Sequence, residues 1–267
     1  IMDRKLVAAL ACRNNGTRLF GKPVQNLDVK ENITILDNII QCLSKIPEIK
    51  EIVLGISCGD ENKIFIEYAK KYNIKFIIGD EIDVLSRLIA CGKIASGTDI
   101  FRVTSESPFV SYELVNNAWK THLQNNTDAV FLDEVIDGCS FEIIKLDVLI
   151  ESHENIKKEI LDLDRFRHRS EMCTLYIREN VASYKIRRLE VPKYLNRKDL
   201  RLTVDNPEDL VVCRKLYAQF KEFAPMIPLN KVVSYLDENL YLINMMEPFL
   251  EIGYSTMYIW EDNNKIN

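Results

Sequence analysis

The chain has 267 residues, and its 35 Lys and Arg against 40 Asp and Glu give a formal net charge of −5 at pH 7. This charge argues against a protein that binds nucleic acid through a basic surface. Hydrophobic residues make up 47% and charged residues 28%, which excludes a disordered chain, a collagen and a small disulfide scaffold. The length suits one α/β domain with an appendage.

The sequence contains no apolar run of the roughly 18 residues that a membrane-spanning helix needs. Residues 1–6 carry charges and are not followed by the apolar stretch and small-residue cleavage site of a signal peptide. We therefore expect a cytoplasmic protein that does not insert into a membrane. The seven cysteines are dispersed and form no C-x-x-C pair, which indicates reduced core thiols.

Short apolar runs alternate with helical patterns over the first 135 residues. The runs predict strands near residues 6–12, 52–56, 74–78, 100–104 and 129–132. Apolar residues at helical spacing predict the helices between them, near 35–43, 64–72, 84–95 and 112–123. This alternation predicts an α/β fold with a mostly parallel central sheet and helices on both faces. Ligands bind beyond the carboxyl ends of the strands in such sheets.

The pattern loosens over residues 137–190, which we interpret as an excursion from the main sheet with one strand near 141–146. A strand over 200–204 then leads into Asp205-Asn206-Pro207, a helix-start signature. Pro225 and Pro228 mark a break, followed by one helix over 229–246 and a tail. We therefore predict a main domain over 1–224 and a C-terminal helical extension over 225–267.

The loop after the first strand is the most informative stretch. Residues 12–23 read Cys-Arg-Asn-Asn-Gly-Thr-Arg-Leu-Phe-Gly-Lys-Pro. Glycines let backbone N–H groups approach phosphate oxygens, and Arg and Lys neutralise their charge, so the loop suits a polyphosphate; the alternative is a solvated surface loop. Gly16 to Lys22 match G-x-x-x-x-G-K, but Pro23 stands where a Walker motif needs Ser or Thr to hold magnesium. A Walker-type nucleotide hydrolase is therefore not expected.

Two later strand ends each carry a carboxylate. Residues 102–108 read Arg-Val-Thr-Ser-Glu-Ser-Pro and residues 201–207 read Arg-Leu-Thr-Val-Asp-Asn-Pro. The proline stops each strand and leaves Glu106 or Asp205 at the sheet edge. If each residue is considered alone, the simpler interpretation is that Asp205 is a helix N-cap and Glu106 is a surface turn residue. Magnesium on a nucleoside triphosphate takes one or two protein carboxylates, and a shared edge with the cationic loop favours that role.

Five segments resemble a known family: residues 11–22, 79–87, 101–109, 174–180 and 200–210. They hold the glycine-rich turn, an Asp-Val-Leu-x-Arg stretch ending at Arg87, both carboxylate strand ends and a Thr-x-Tyr-Ile-Arg-Glu-Asn stretch from Thr174. In order and spacing the chain resembles the cytidylyltransferases related to spore-coat polysaccharide biosynthesis protein F. These belong with the acylneuraminate and 3-deoxy-manno-octulosonate cytidylyltransferases. The resemblance covers roughly residues 5–220.

The resemblance implies a Rossmann-like nucleotide-diphospho-sugar transferase fold. It also implies magnesium-dependent transfer of CMP from CTP to an acceptor oxygen, with release of pyrophosphate. The acceptor would be a small anionic sugar-type molecule, a sugar acid or a sugar or polyol phosphate that is a precursor of a bacterial surface glycan. The family's excursion commonly forms a dimer contact, which predicts a homodimer through residues 137–190.

The resemblance also assigns roles to residues. Arg13 and Lys22 would be the catalytic cations, and Glu106 and Asp205 would bind magnesium. Asp83 and Arg87 would lie near the nucleoside or the acceptor. The nucleotide- and substrate-binding residues would be Ala11, Arg13, Asn14, Gly16, Thr17, Arg18, Lys22, Asp83, Arg87, Thr104, Ser105 and Glu142.

Three positions depart from the family pattern. Glu106 replaces the Asp of a Gly-Asp-x-Pro turn, Ser140 replaces the second acid of Asp-Gly-x-Asp-x-Glu, and Met172 replaces a histidine. These departures affect acceptor recognition and the number of metal ions. The sequence leaves three alternatives open: GTP or another nucleotide as donor, a phosphonate as acceptor, and a non-catalytic nucleotide-binding subunit.

Overall fold

The computed structural model describes residues 3–255 of the chain. Within that range a seven-stranded sheet forms the centre of the fold, and two further strands form a separate antiparallel pair. The strands are β1 (Leu6–Cys12), β2 (Asn26–Asp28), β3 (Ile33–Thr34), β4 (Ile49–Ser57), β5 (Lys75–Gly79), β6 (Asp99–Arg102), β7 (Ala129–Phe131), β8 (Glu142–Lys145) and β9 (Ile186–Arg188).

The strands of the central sheet lie in the order β5-β4-β1-β6-β8-β7-β9. Strands β5, β4, β1 and β6 are parallel to one another. Strand β8 runs antiparallel to both of its neighbours, β6 and β7, and β9 is parallel to β7. The predicted mostly parallel α/β sheet is confirmed.

Helices cover both faces of this sheet. They are α1 (Ile35–Ser44), α2 (Ile64–Tyr72), α3 (Val84–Ile94), α4 (Val115–Asn125), α5 (Leu146–Lys158), α6 (Leu163–Glu171), α7 (Leu175–Glu179), α8 (Pro207–Gln219), α9 (Leu229–Glu238) and α10 (Leu240–Ser255). In the part of the chain that the structure describes, no helix has the length and apolar character required to span a lipid bilayer.

Strand β1 shows why apolar residues do not alternate with polar residues in the first apolar run. Leu6, Ala8 and Leu10 belong to the core on one face of the sheet, which includes residues of α1 and α8. Val7 and Ala9 belong to the core on the other face, which includes residues of α3 and α5. Because side chains alternate between two covered faces, both sets must be apolar.

The region over residues 137–190 is not wholly outside the main sheet, contrary to the predicted excursion. Strand β8 inserts between β6 and β7, and β9 extends the sheet beyond β7, while α5, α6 and α7 lie between these two strands in the chain. Both strands are only three or four residues long. Their apolar signal is therefore weak, and only pairing with distant strands identifies them as part of the sheet.

Two predicted elements toward the C-terminus are wrong in detail. Residues 200–204 do not form a ladder strand; Arg201 alone makes an isolated bridge, with Asp137. The single helix over 229–246 is two helices that meet at Asn239. The side-chain amide of Asn239 donates to the backbone carbonyl of Tyr235 at 2.8 Å, and the backbone carbonyl of Asn239 accepts the N–H of Leu242 at 2.9 Å. A short amide side chain that bonds to nearby backbone favours such a break.

The C-terminal extension packs on the main domain. Val232 and Leu236 of α9 and Leu242 and Met246 of α10 are buried in the same core as one face of the sheet. Residues 256–267 of the predicted extension lie outside the described residues. All seven cysteines are free thiols, and six of them are buried, as the sequence predicts.

A buried ionic cluster lies at the amino-terminal end of β6. The fully buried carboxylate of Asp99 accepts from Arg4 Nε at 2.7 Å and from the hydroxyl of Thr98 at 2.6 Å. His122 Nε2 lies 2.7 Å from the same carboxylate. Burial raises the pKa of Asp99, but the hydrogen bonds from Arg4, His122 and Thr98 outweigh it and hold the pKa below its usual value.

This cluster predicts a pH-dependent loss of stability in Asp99→Asn. Because the folded pKa is lowered, Asp99 stabilises the fold fully above the unfolded pKa, and this contribution is lost as pH falls through the folded pKa. Urea unfolding should show a loss of about 3 kcal/mol at pH 7. The difference from wild type should shrink below pH about 4. Asp60→Asn is the control, because Asp60 belongs to an exposed ion pair with Lys63, and this variant should unfold like the wild type. A stability deficit of Asp99→Asn that is constant at all pH values would contradict the assignment.

Candidate active site

The loop between β1 and β2 is anchored by Asn14. The carbonyl of Asn14 accepts the N–H groups of Gly16 at 2.8 Å and Gly21 at 2.9 Å, and its own N–H donates to Asn62 Oδ1 at 2.8 Å. Gly21 has a φ of +63°, which favours glycine. A Cβ on Gly16 would lie 2.3 Å from the carbonyl oxygen of Leu19. The two glycines therefore set the shape of the turn.

The cationic loop meets the late aspartate in space. Lys22 Nζ lies 2.6 Å from Asp205 Oδ1, and Arg18 Nη2 lies 3.4 Å from the same oxygen. The predicted convergence of loop and aspartate, which are 183 positions apart, is confirmed.

The two carboxylate strand ends lie side by side. The N–H of Val204 donates to the carbonyl of Glu106 at 3.2 Å, and the Ser107 hydroxyl lies 3.1 Å from the hydroxyl of Thr203. These bonds hold Glu106 and Asp205 at one edge of the molecule. That edge lies at the carboxyl ends of β1 and β6, where ligands of such sheets bind.

A cleft opens between the loop and the carboxyl end of β6. Eight of the residues assigned by sequence line it: Ala11, Arg13, Gly16, Lys22, Arg87, Thr104, Ser105 and Glu106. Ser105 is fixed by its hydroxyl, which donates to the carbonyl of Ala11 at 2.9 Å. Arg13 is half exposed and pairs with Glu171 of α6 at 3.0 Å. The lining of the cleft thus combines four cations, Arg13, Lys22, Arg87 and Arg102, with two carboxyl groups, Glu106 and Glu171.

The other assigned residues lie around this cleft. Asn14 is buried as the anchor of the loop, and Thr17 and Arg18 are exposed on it. Asp83 caps α3, and its carboxylate is held by His153 Nε2 at 2.8 Å and the Ser170 hydroxyl at 2.7 Å. These contacts give Asp83 a structural role in joining α3, α5 and α6.

Arg87 is the most unusual of the lining residues. Its side chain is 1% exposed, and Nη1 donates to the carbonyl of Gly55 at 2.8 Å. Its Nε is buried without a hydrogen-bond partner, and within residues 3–255 no carboxylate pairs with it. Burial lowers the pKa of this guanidinium. A buried cation without an acid partner in a cleft suits an oxygen of a ligand.

Glu142 lies in a second cleft that shares Arg102, Val103 and Thr104 with the first. Its carboxylate accepts from Arg102 at 2.8 Å and from Arg178 at 2.7 Å. Burial raises the pKa of Glu142, but these two cations outweigh it and hold the pKa below its usual value. Glu142 therefore faces the second cleft as an ionised group.

The carboxyl groups at this edge have different pKa values. Burial raises the pKa of Asp205, but Lys22, Arg18 and Arg201 outweigh it, so the pKa is lowered. Burial and the nearby charge of Asp205 raise the pKa of Glu106, against the effect of Lys22. Burial raises the pKa of Asp137 to about 6, with Asp205 among the neighbouring charges that add to it. Asp205 is thus the most acidic of these three groups.

Comparison with known proteins identifies the family. The model of the cytidylyltransferase family matches residues 8–244. The chain belongs to the cytidylyltransferase family. The resemblance inferred from the sequence is confirmed, and the protein is a nucleotidyltransferase.

The proteins that this cytidylyltransferase is similar to include one curated relative and two solved structures. The spore coat polysaccharide biosynthesis protein SpsF of Bacillus subtilis is 25% identical over 86% of this chain and 93% of its own. A cytidylyltransferase from Leptospira borgpetersenii is 19% identical, with a TM-score of 0.78 over 97% of this chain and 100% of its own. A CMP:2-keto-3-deoxy-manno-octonic acid synthetase complexed with CTP is 13% identical, with a TM-score of 0.56 over 80% of this chain and 99% of its own.

The cytidylyltransferase has carboxylates that could hold a divalent cation. Within the described residues, no group of three or more His, Cys, Asp or Glu side chains forms a metal site. Magnesium in nucleotide enzymes keeps several waters and takes one or two carboxylates together with substrate phosphates. Asp205 and Glu106, beside a loop that suits phosphates, fit this requirement. The metal role of both residues stays a prediction.

Sequence reasoning missed three arginines of the site. Arg102 lines both clefts, Arg178 lines the second cleft, and Arg201 donates to Asp205 Oδ2 at 2.8 Å. The signal was present, because each strand end starts with an arginine four residues before its carboxylate. In an extended segment this spacing does not predict a contact, so only the three-dimensional structure shows it.

The loop geometry predicts the effect of Gly16→Ala. A methyl group there would collide with the Leu19 carbonyl and lie 3.2 Å from Lys22 Cε, so the lysine would shift. We expect nucleotidyl transfer to fall by about 100-fold. The thermal unfolding midpoint should change little, because Gly16 is partly exposed and lies outside every helix and strand. Asn15→Ala, in the same loop, is the control and should keep its activity. Wild-type activity of Gly16→Ala would show that the loop tolerates a side chain.

Proposed function

We propose that the protein is a magnesium-dependent cytidylyltransferase that transfers CMP from CTP to a small anionic sugar-type acceptor and releases pyrophosphate. The observation that carries this proposal is the contact of Lys22 and Arg18 with Asp205 at the rim of the cleft. The family supports CTP as donor. Two relatives, a spore coat polysaccharide biosynthesis protein and a CMP:2-keto-3-deoxy-manno-octonic acid synthetase, support a surface-glycan precursor as acceptor.

The proposed reaction is an in-line displacement at the α-phosphorus of CTP. The protein would mainly position the reactants and stabilise the negative charge of the leaving pyrophosphate. Lys22 and Arg13 provide positive charge on the loop side of the cleft. Magnesium held by Asp205 with Glu106 would supply further positive charge at the phosphates. An acceptor phosphate or carboxylate needs no general base, and this fits the paired state of Glu142.

The second cleft is the proposed place of the acceptor. Its lining includes the hydroxyls of Ser107, Ser140 and Thr203, which suit the hydroxyl groups of a sugar or polyol. Arg102 and Arg178 lie in the same cleft, where Arg102 pairs with Glu142 and Arg178 pairs with both Glu142 and Asp133. The hydroxyl lining supports the sugar or polyol part of the acceptor, and the names of the relatives support its anionic group, a carboxylate or a phosphate; a phosphonate is the alternative.

The donor can be tested directly with purified protein. Magnesium and each common nucleoside triphosphate are combined with a panel of keto-sugar acids, sugar phosphates, polyol phosphates and phosphonates, and pyrophosphate is measured. We expect release with CTP and one acceptor class. Release with GTP but not CTP would support the alternative donor. If no pair of nucleotide and acceptor releases pyrophosphate, this result would contradict nucleotidyl transfer and favour a non-catalytic nucleotide-binding subunit.

Lys22→Met and Asp205→Asn test the contact that carries the proposal. Each variant removes one charge from the pair, so we expect pyrophosphate release to fall by about 100-fold or more while the circular dichroism spectrum is kept. Lys63→Ala is the matched control, because Lys63 is an exposed lysine that pairs with exposed Asp60. Near wild-type release by either site variant would contradict the assignment. The predicted homodimer and cytoplasmic location stay predictions.

A further inference from the structure

Arg201 contacts the oxygen of Asp205 that Lys22 does not. Its guanidinium is buried, and Nη2 donates to Asp205 Oδ2 at 2.8 Å, while Lys22 lies against Oδ1. Two further carboxylates share the same guanidinium. Nε and Nη2 bind Asp209 at 2.8 and 3.1 Å, and Nη1 binds Asp137 at 3.2 Å.

These bonds hold both the side chain and the backbone of Asp205. Asp209 Oδ2 accepts the N–H of Asp205 at 2.9 Å and the N–H of Asn206 at 2.8 Å. A guanidinium is planar and presents its donors in a fixed fork, so a carboxylate bound to it is held in one orientation. Asp205 Oδ1 is therefore directed toward the cleft by Arg201 and Asp209 together.

The C-terminal helix α10 holds Arg201 from the other side. Met246 Sδ accepts the N–H of Arg201 at 3.3 Å, and the carbonyl of Phe249 accepts from Nη1 at 3.5 Å. One turn later, a Cβ on Gly253 would lie 2.5 Å from Arg201 Nη1 and 2.9 Å from Asp137 Oδ2. The backbone of α10 thus lies directly against the guanidinium, and a side chain at position 253 would require Arg201 or Asp137 to shift.

We propose that Arg201 is a positioning residue for Asp205 and that α10, through Gly253, keeps Arg201 in place. The family model ends at residue 244, so the turns of α10 that contact Arg201 lie beyond it. The C-terminal extension is then part of the active site although it lies outside the cleft. This inference rests on the proposed function, in which Asp205 binds the metal of the metal–triphosphate complex.

Gly253→Ala tests the contact between α10 and Arg201. Alanine favours a helix more than glycine does, so loss of helix propensity cannot explain a defect. The added methyl displaces Nη1, and we expect binding of Mn²⁺ in the presence of CTP, measured by electron paramagnetic resonance, to weaken about tenfold or more. The kcat should fall by a similar factor, whereas the acceptor KM should change less than about twofold.

Arg201→Lys is the second variant and tests the positioning role itself. Lysine keeps the charge but cannot bridge three carboxylates in a fixed geometry. We expect the same weakening of Mn²⁺ binding as in Gly253→Ala, because both variants release Asp205 from one orientation. Glu251→Ala, on an exposed position of the same helix, is the matched control and should bind Mn²⁺ and CTP like the wild type. Circular dichroism and thermal unfolding establish that each variant is folded.

The outcomes separate this inference from the proposed function. If the wild type binds Mn²⁺ in the presence of CTP, and the folded Gly253→Ala and Arg201→Lys variants bind it equally well, the inference is overturned but the proposed function is not. Weakened binding by both variants, with the control unaffected, would support it. Absence of Mn²⁺ and CTP binding by the wild type would overturn the proposed function and the inference together. A rise in acceptor KM without any change in Mn²⁺ binding would also overturn the inference, because Arg201 would then act on the acceptor cleft.

Discussion

The candidate site at the carboxyl ends of β1 and β6 depends on one partly buried carboxylate, that of Asp205, remaining ionised. Removing a charge from water costs several kcal/mol unless opposite charges and hydrogen bonds compensate for it. Asp205 has such compensation on both oxygens, with Lys22 and Arg18 on one and Arg201 on the other. A cation that leaves the first oxygen to bind a phosphate therefore does not leave Asp205 without a partner, because Arg201 remains.

The direction of the strands brings the remaining charges to the same edge. Strand β8 is antiparallel to β6, and in their register Arg102, the last residue of β6, lies opposite Glu142, the first residue of β8. In a wholly parallel sheet a residue at the start of a strand would lie at the opposite edge from the ligand. Because β8 is antiparallel, its first residue, Glu142, lies at the same edge as the candidate site and lines the second cleft there. Proximity of the two clefts is what a transfer between donor and acceptor requires.

Much of this architecture could be predicted from the sequence. Strands buried on both faces are continuous apolar runs, and glycine, arginine and lysine after β1 indicate a phosphate-binding turn; both signals are local. The late strand end was misread as part of a ladder, although its aspartate was assigned to the site. Leu200, Leu202 and Val204 alternate with Arg201 and Thr203, and all five residues are buried. Alternation of this kind predicts an extended backbone but does not tell a paired strand from an unpaired extended segment.

The sequence by itself determined the class of fold, the family and the cationic turn after β1, because each is carried by short motifs and by the order of those motifs along the chain; it also marked Asp205 as a candidate site residue. The tertiary structure decided how these parts meet: the insertion of β8 into the sheet and the addition of β9 at its edge, the burial of Arg87 Nε without a hydrogen-bond partner, and the contact of α10 with Arg201. These features join residues tens of positions apart. Their geometry follows from packing and strand register, which no local pattern of residue types specifies.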